Sequence, residues 1–428
     1  MKTVDLVDPI HVILTDLTVT CNVMTFFNLD EDVYLVKGAS NSALYNLASK
    51  EIFSISAPVA KLIERSGTGN IEALNLDQAA KETLEHLVSI KTGSFALEKS
   101  KLKEFPKPEK KIKSVALELT KNCNFRCIHC YAECNKKKDD SLSPEQFIDI
   151  IEQIYHTNPS PRRIQLIGGE PLLYGKEKIF QIINSTRKLN PKTPFEVFTN
   201  GYLLDEEYIE FFANNNVSLA ISIYSADPEI HDSITKVPGS FEKIKNTIGA
   251  IKEKGIKLRV GYVLMKQNET TVEETKNFLN EMGCSKHYDV VRPIGRGKDP
   301  DITPSKEFYK TRKEPDFVAD REDFFNNIYY NPCWFGNFYV QNNGKVSPCY
   351  MSLDITLGDL TKQSVKEILG SEILDSYWEQ TKEKMDDCKL CEYRLACHDC
   401  RPVAIANGGI NAKTHGCNYS PETGKWDN

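Results

Sequence analysis

Apolar and polar positions change rhythm twice along this chain. Up to residue 98, short alternating runs come first, "HVILTDL" at 11–17 and "DVYLV" at 32–36, and these predict strands. Two runs then carry apolar residues every three or four positions, "APVAKLIERS" and "DQAAKETLEHLVSI", and predict helices. A strand-then-helix module of this kind, winged-helix-like in outline, holds no catalytic cluster and is expected to bind something. Residues 99–113, "KSKLKEFPKPEKKIK", are charged, contain two prolines and have no apolar period. They read as a solvated linker.

From Val115 strand and helix alternate. "VALELT" predicts a buried strand. Beyond a cysteine-rich loop, "SPEQFIDIIEQIYH" predicts a helix in which Ser143 caps, Pro144 takes the first helical position and Gln146 completes a capping box. Phe147, Ile150, Ile151 and Ile154 share one face of it. The unit recurs: strand "RRIQLI" with a helix near 176–189, "FEVFT" with one near 205–214, and "VSLAISI" with "SFEKIKNTIGAIKEK", stopped by Gly255. Strands "KLRVGYVL" and "YDVVRPI" flank a helix near 270–282. Six such units predict parallel strands with right-handed crossovers, an α/β partial barrel or an open doubly wound sheet. In either form ligands bind at the carboxyl ends of the strands. The cysteine loop, Gly168-Gly169-Glu170-Pro171, Thr199-Asn200-Gly201 and Ser222 follow the first four strands in turn. All are expected on one rim.

Length and charge add bounds. A chain of 428 residues exceeds one ordinary core and implies several domains. No apolar run reaches the roughly 18 residues that cross a bilayer, and the first residues lack an export signal. A cytoplasmic protein with no membrane partner is expected. A net charge of -6 argues against general nucleic-acid binding.

Cysteine changes the picture most. The chain has 13, an odd number in a large chain without an export signal, which points away from disulfides. They cluster as Cys123, Cys127, Cys130 and Cys134, and as Cys333, Cys349, Cys388, Cys391, Cys397, Cys400 and Cys417; Cys21 and Cys284 stand alone. Close-set thiols in a reducing compartment point to metal. Zinc, a ferredoxin-like four-cysteine cluster that enlists Cys134, or a cluster held by three thiolates with one position open all remain possible for "CNFRCIHC".

The CxxxCxxC spacing of Cys123, Cys127 and Cys130, on a loop just beyond the first strand of a βα array, resembles the radical S-adenosylmethionine (SAM) enzymes. The resemblance implies that these three thiolates hold a 4Fe-4S cluster whose fourth iron is chelated by SAM, giving a 5'-deoxyadenosyl radical after one-electron reduction. It implies SAM contacts from Gly168, Gly169, Glu170 and Pro171, from Thr199 and Asn200, from Ser222, and from His129 near the adenine. Many relatives place an arginine thirteen residues beyond the serine; this chain has Thr235 there. Lys236 or Arg292 is the expected substitute.

Residues 333–417 resemble the SPASM extension, which carries two auxiliary 4Fe-4S clusters. The family's interleaved pattern assigns Cys388, Cys391, Cys397 and Cys417 to one cluster and leaves Cys333, Cys349 and Cys400 for the other, with an open iron unless Cys284 or another group completes it. Structural zinc knuckles are the alternative. The commonly quoted last gap has three residues; two lie between Cys397 and Cys400. The resemblance thus implies three 4Fe-4S clusters and SAM.

The domains expected are 1–98 for leader-peptide recognition, 99–113 linker, 114–299 radical SAM partial barrel, 300–332 bridging region and 333–428 SPASM domain. This order resembles the sactipeptide and related thioether-forming maturases. It implies a ribosomal precursor peptide with a leader as substrate and an external one-electron reductant of flavodoxin or ferredoxin type. A sulfatase-activating maturase and a non-enzymatic iron-sulfur or zinc scaffold are the other readings.

Overall fold

The computed structural model describes residues 26–99, 103–134, 140–157, 161–284, 287–305, 308 and 317–426. The run "HVILTDL" and Cys21 fall outside these residues. The first module contains strands β1 (Phe26–Leu29), β2 (Val33–Lys37), β3 (Asn41–Asn46) and β4 (Glu51–Ser56), helices α1 (Ala57–Thr68) and α2 (Gln78–Ser89), and β5 (Gly93–Ala96). β2, β3 and β4 form an antiparallel sheet, and β1 pairs with β5. Ala60, Ile63, Leu84 and Leu87 of the helices pack on Leu44, Phe53 and Ile55 of the sheet. The 3.6-residue period placed those four on one side.

The segment 103–113 is extended, as its prolines require, but it is not a free tether. Lys103 Nζ donates to the carbonyls of Asp30, Glu31 and Val33, Lys107 pairs with Glu379 at 2.8 Å, and Lys110 pairs with Asp375. Ile112 is fully buried. Most of the strap stays exposed, and its lysines clamp it across the protein, because long stems can lie on apolar surface while their ammonium groups reach acceptors.

The barrel follows as β6 (Ser114–Glu118), α3 (Pro144–Thr157), β7 (Arg163–Ile167), α4 (Lys176–Leu189), β8 (Phe195–Phe198), α5 (Glu206–Asn214), β9 (Val217–Ser222), α6 (Pro228–Thr235), α7 (Ser240–Glu253), β10 (Leu258–Gly261), β11 (Val263–Leu264), α8 (Val272–Glu281) and β12 (Asp289–Val290). β6 to β10 run parallel in sequence order. The capping box of α3 is present: Gln146 N–H donates to Ser143 Oγ, and Ser143 N–H to Gln146 Oε1 at 2.8 Å. Phe147, Ile150, Ile151 and Ile154 are buried against the sheet, each contributing about 1.5–3 kcal/mol by leaving water. The sixth strand is shorter than its sequence suggests. Among the described residues it pairs as Asp289–Val290 with β11, and the strand before it is interrupted at Tyr262.

One feature has no periodic signal. β13 (Asn337–Val340), β14 (Lys345–Ser347) and β15 (Gly358–Asp359) extend the barrel sheet on its other edge, giving the order β10-β9-β8-β7-β6-β13-β14-β15. β13 is parallel to β6. The C-terminal cysteine region is therefore continuous with the barrel, and Cys349, just beyond β14, comes to the mouth where the first cysteine loop lies. Among the described residues no helix is long and apolar enough to cross a membrane.

Candidate active site

Why the first loop folds as it does can be traced bond by bond. Gly169 N–H donates to Thr120 O and Glu170 N–H to Asn122 O, both at 2.8 Å, so the end of β7 is stitched to the start of the cysteine loop. A Cβ on Gly168 would stand 2.4 Å from Thr120 O, and one on Gly169 would stand 2.3 Å from Asn122 O. Backbone fills the space of both side chains, which is why two glycines are needed. From the other side, Arg126 N–H donates to Thr235 O and Ile128 N–H to Ile234 O at the end of α6.

Glu170 is completely buried. Its Oε1 accepts from Thr199 Oγ1 at 2.7 Å and Leu172 N–H, and its Oε2 accepts from Asn200 N–H at 2.8 Å. Burial pushes its carboxyl up to about 7 despite these donors. The carboxylate thereby locks the ends of β7 and β8 together, while Pro171 opens the short turn behind it. Asn200 reaches the cysteine loop itself, donating to Asn124 Oδ1 at 2.7 Å. Ser222 ends β9 and is hydrogen-bonded to the Tyr224 hydroxyl; the Tyr224 ring meets His129 edge-on at 4.6 Å. Burial and the nearby Arg296 cation lower His129 to about 4, so it is neutral, and its Nδ1 has no partner among the described residues.

Cys123, Cys127 and Cys130 lie within electrostatic reach of one another, and burial pushes the first two up to about 12. Cys134, also on this loop, is hydrogen-bonded to Cys130. The residue that sequence reasoning passed over is Arg296. Its Nε donates to Cys127 O at 2.9 Å, its N–H to Cys130 O at 3.1 Å, and its charge bears on all three thiols. Flanking Gly295 and Gly297 permit this, since a Cβ on Gly295 would meet Tyr131 O at 2.2 Å. The signal available was one arginine between two glycines in "PIGRGKD".

The two expected arginine substitutes go elsewhere. Lys236 is exposed at the left-handed end of α6, φ 62°. Arg292 donates to Met351 Sδ at 3.3 Å and faces Cys400, Tyr350 and Cys349. Thr235, where many relatives have arginine, is buried and bonded to Ser240 Oγ at 2.8 Å.

The C-terminal cysteines gather in two sets. Cys333, Cys349 and Cys400 act electrostatically on one another, as do Cys391, Cys388 and Cys397, with Cys417 beside Cys397. Cys284 joins neither; its neighbours are Met282 O and Lys252. The donor set suits an iron-sulfur cluster. Backbone N–H groups point at sulfur from Phe125 to Cys123 and from Met351 to Cys349, both at 3.4 Å, from Arg401 to Cys333 and from Tyr393 to Cys391. Such donors favour thiolate over thiol.

Tyr131 follows Cys130 and Tyr350 follows Cys349; their rings lie 5.5 Å apart and join the first set to the nearer auxiliary set. Below them Ala116, Ile167, Phe198, Tyr339 and Leu353 form an apolar floor. A cavity of about 360 Å³ at the amino ends of the strands, lined by Arg162, Arg163, Glu196, Lys257 and Arg259, includes no cysteine. Two of its arginines pair with Glu196 and a third with Glu322.

Comparison with known proteins agrees with this fold. The Radical SAM superfamily matches residues 117–279, and the iron-sulfur cluster-binding SPASM domain matches 333–392. The chain is 25% identical over 316 residues to the Bacillus subtilis antilisterial bacteriocin subtilosin biosynthesis protein AlbA, covering 69% of this chain and 68% of that one. It is 23% identical over 321 residues to a Clostridium novyi cysteine-type anaerobic sulfatase-maturating enzyme, covering 65% and 85%. Among solved structures, Streptococcus suis SuiB aligns with a TM-score of 0.56 at 15% identity over 91% of this chain and 99% of its own; SuiB has also been solved bound to precursor peptide SuiA. On this fold the chain thus carries a Radical SAM domain followed by a C-terminal SPASM iron-sulfur cluster-binding domain.

Proposed function

We propose that this protein installs a crosslink, thioether or carbon-carbon, in a ribosomally made precursor peptide. The observation that carries the reading is the tyrosine pair Tyr131–Tyr350, which joins the two cysteine sets above an apolar floor at the barrel mouth. When bound, SAM and the cluster on Cys123, Cys127 and Cys130 supply a 5'-deoxyadenosyl radical that takes a hydrogen atom from the substrate. The chain's own residues do the rest.

Gly168 and Gly169 hold the cysteine loop against the end of β7, at the place where the methionyl end of SAM would lie. Glu170 holds Thr199 and Asn200 in place beside the ribose. Neutral His129, held edge-on to Tyr224, offers an uncharged face for the adenine, and Arg296 supplies positive charge for the SAM carboxylate where Thr235 cannot. Cys333, Cys349 and Cys400 would hold one auxiliary cluster with an open iron, and Cys388, Cys391, Cys397 and Cys417 the other, for three clusters in all.

The amino-terminal module supports a peptide substrate. It sits on the C-terminal cysteine-rich region: Ala39 N–H donates to Leu390 O at 2.8 Å, the Tyr45 hydroxyl to Glu392 O at 2.9 Å, and Arg394 to Lys37 O at 2.6 Å. A leader held by this module, by strand addition to its sheet, would deliver the core peptide toward the barrel. Co-expression with a candidate precursor and mass spectrometry tests the reading. Loss of two hydrogens per crosslink is expected. An unchanged peptide counts against it, and a hydrazide-reactive aldehyde on the peptide favours the sulfatase-maturating alternative.

A further inference from the structure

Three charged side chains are sealed between the two auxiliary cysteine sets. The side chains of Asp399 and Arg401 are 0% exposed and that of Lys382 is 3% exposed. Arg401 Nη1 pairs with Asp399 Oδ2 at 2.6 Å, and Lys382 Nζ stands 3.5 Å from Asp399 Oδ1. Two cations thus share one carboxylate. The remaining guanidinium donors go to neutral acceptors, Ile410 O at 2.8 Å and Ala412 O at 3.0 Å, and Arg401 Nε has no partner among the described residues. A surplus positive charge in a dry interior costs several kcal/mol unless an anion answers it.

Besides Asp399, the anionic groups that bear on Lys382 are cysteine thiolates, those of Cys397 and Cys388. Lys382 Nζ donates to Thr414 Oγ1 at 3.0 Å, and that hydroxyl lies 3.9 Å from Cys388 Sγ. Lys382 also bears on Cys397, while Asp399 lies within reach of Cys397 in one set and Cys333 in the other. Arg401 follows Cys400 directly and turns its own N–H toward Cys333.

We propose that Lys382, Asp399 and Arg401 set the reduction potential of the site formed by Cys388, Cys391, Cys397 and Cys417, their surplus positive charge favouring its reduced, more negative state. This makes that site the final acceptor of one electron. The donor is the substrate carbon radical: as it bonds to a thiol sulfur or other X–H group, the new bond forms, one proton leaves and one electron is released. The inference rests on the ligand assignment above and is independent of which peptide is used.

The experiment is an EPR-monitored redox titration of reconstituted full-length protein with iron and sulfide counted. Cys397→Ala must first abolish one signal; if it abolishes none, the ligand assignment fails rather than the electrostatic claim. Against that signal, Lys382→Met is expected to shift the reduction equilibrium at least tenfold toward the oxidised state, about 59 mV for one electron. Asp399→Asn should shift it the opposite way, and Lys382→Arg should leave it near wild type. Looser packing cannot produce opposite signs, because both changes remove a buried partner. If Lys382→Met takes up no iron, Asp399→Asn decides alone. Equal potentials, or shifts of the same sign, at full iron content overturn the proposal.

Discussion

The two cysteine regions gather thiols in opposite ways. The first places Cys123, Cys127 and Cys130 within eight residues, on a loop that glycine backbone, Asn200 and the end of α6 hold at the rim of a parallel sheet. The cation that bears on all three of its thiols, Arg296, stands at a partly exposed site. The second draws seven thiols from residues 333–417 and buries fixed charge among them. An open rim suits a site that must admit a ligand at each turnover. A sealed, charged interior suits one that only exchanges electrons.

The sharpest way to break this comparison is to delete each set. Cys123→Ala, Cys127→Ala and Cys130→Ala together should abolish deoxyadenosine formation, a loss of at least a thousandfold. Cys391→Ala should leave SAM cleavage measurable while product formation fails. If both variants lose deoxyadenosine equally, the division of labour is wrong.

Next in size is Gly169→Ala. Its Cβ at 2.3 Å from Asn122 O must push the cysteine loop away, with an expected loss of about 1–3 kcal/mol and a fall in iron content. Ala at Gly249, where nothing lies within 4 Å, is the control, and equal melting temperatures for the two variants would count against the stitched-loop account.

Acid should weaken the barrel through His231. This side chain is buried under Tyr224, accepts from Tyr224 N–H at 3.2 Å, and burial lowers it to about 4. The unfolded chain, titrating near 6.5, binds a proton that the folded state refuses. Stability is therefore full above about pH 6.5 and falls as pH drops toward 4, by up to about 3 kcal/mol. His231→Asn in the metal-free protein should flatten that slope in urea melts taken between pH 8 and 5; parallel curves would refute it.

The smaller effects concern Arg296 and Cys134. Arg296→Ala is expected to weaken SAM binding about tenfold, near 1.4 kcal/mol, read by titration of the loaded protein. Cys134→Ala should change deoxyadenosine output little. Should Cys134→Ala instead match Cys130→Ala, the first cluster has four thiolate ligands and no open iron.

Much of this was legible before any coordinates. Alternation at a period of two and recurrence near 3.6 located β6 to β10 and α3, α4, α5 and α7, because the apolar faces of a βα array must meet. The cysteine spacing is local, so eight residues carried it. Arg296 was not legible: its value depends on a loop folding back across Cys127 and Cys130, and one arginine between glycines signals nothing by itself. The anchoring of 103–113 was not legible either: the segment is largely exposed, as a linker should be, but the partners of Lys103, Lys107 and Lys110 lie far away in sequence.

By itself the sequence determined the repeating units, the helix cap at Ser143, the glycine pair and the spacing of the cysteine loop. Each depends on neighbours within a few positions, where backbone geometry and period do the selecting. Only the tertiary structure decided that β13 joins the barrel at β6, that Tyr350 meets Tyr131, and that one carboxylate faces two buried cations. Those contacts join segments hundreds of residues apart, or place charge relative to a dry interior, and burial and distance exist only once the chain has packed.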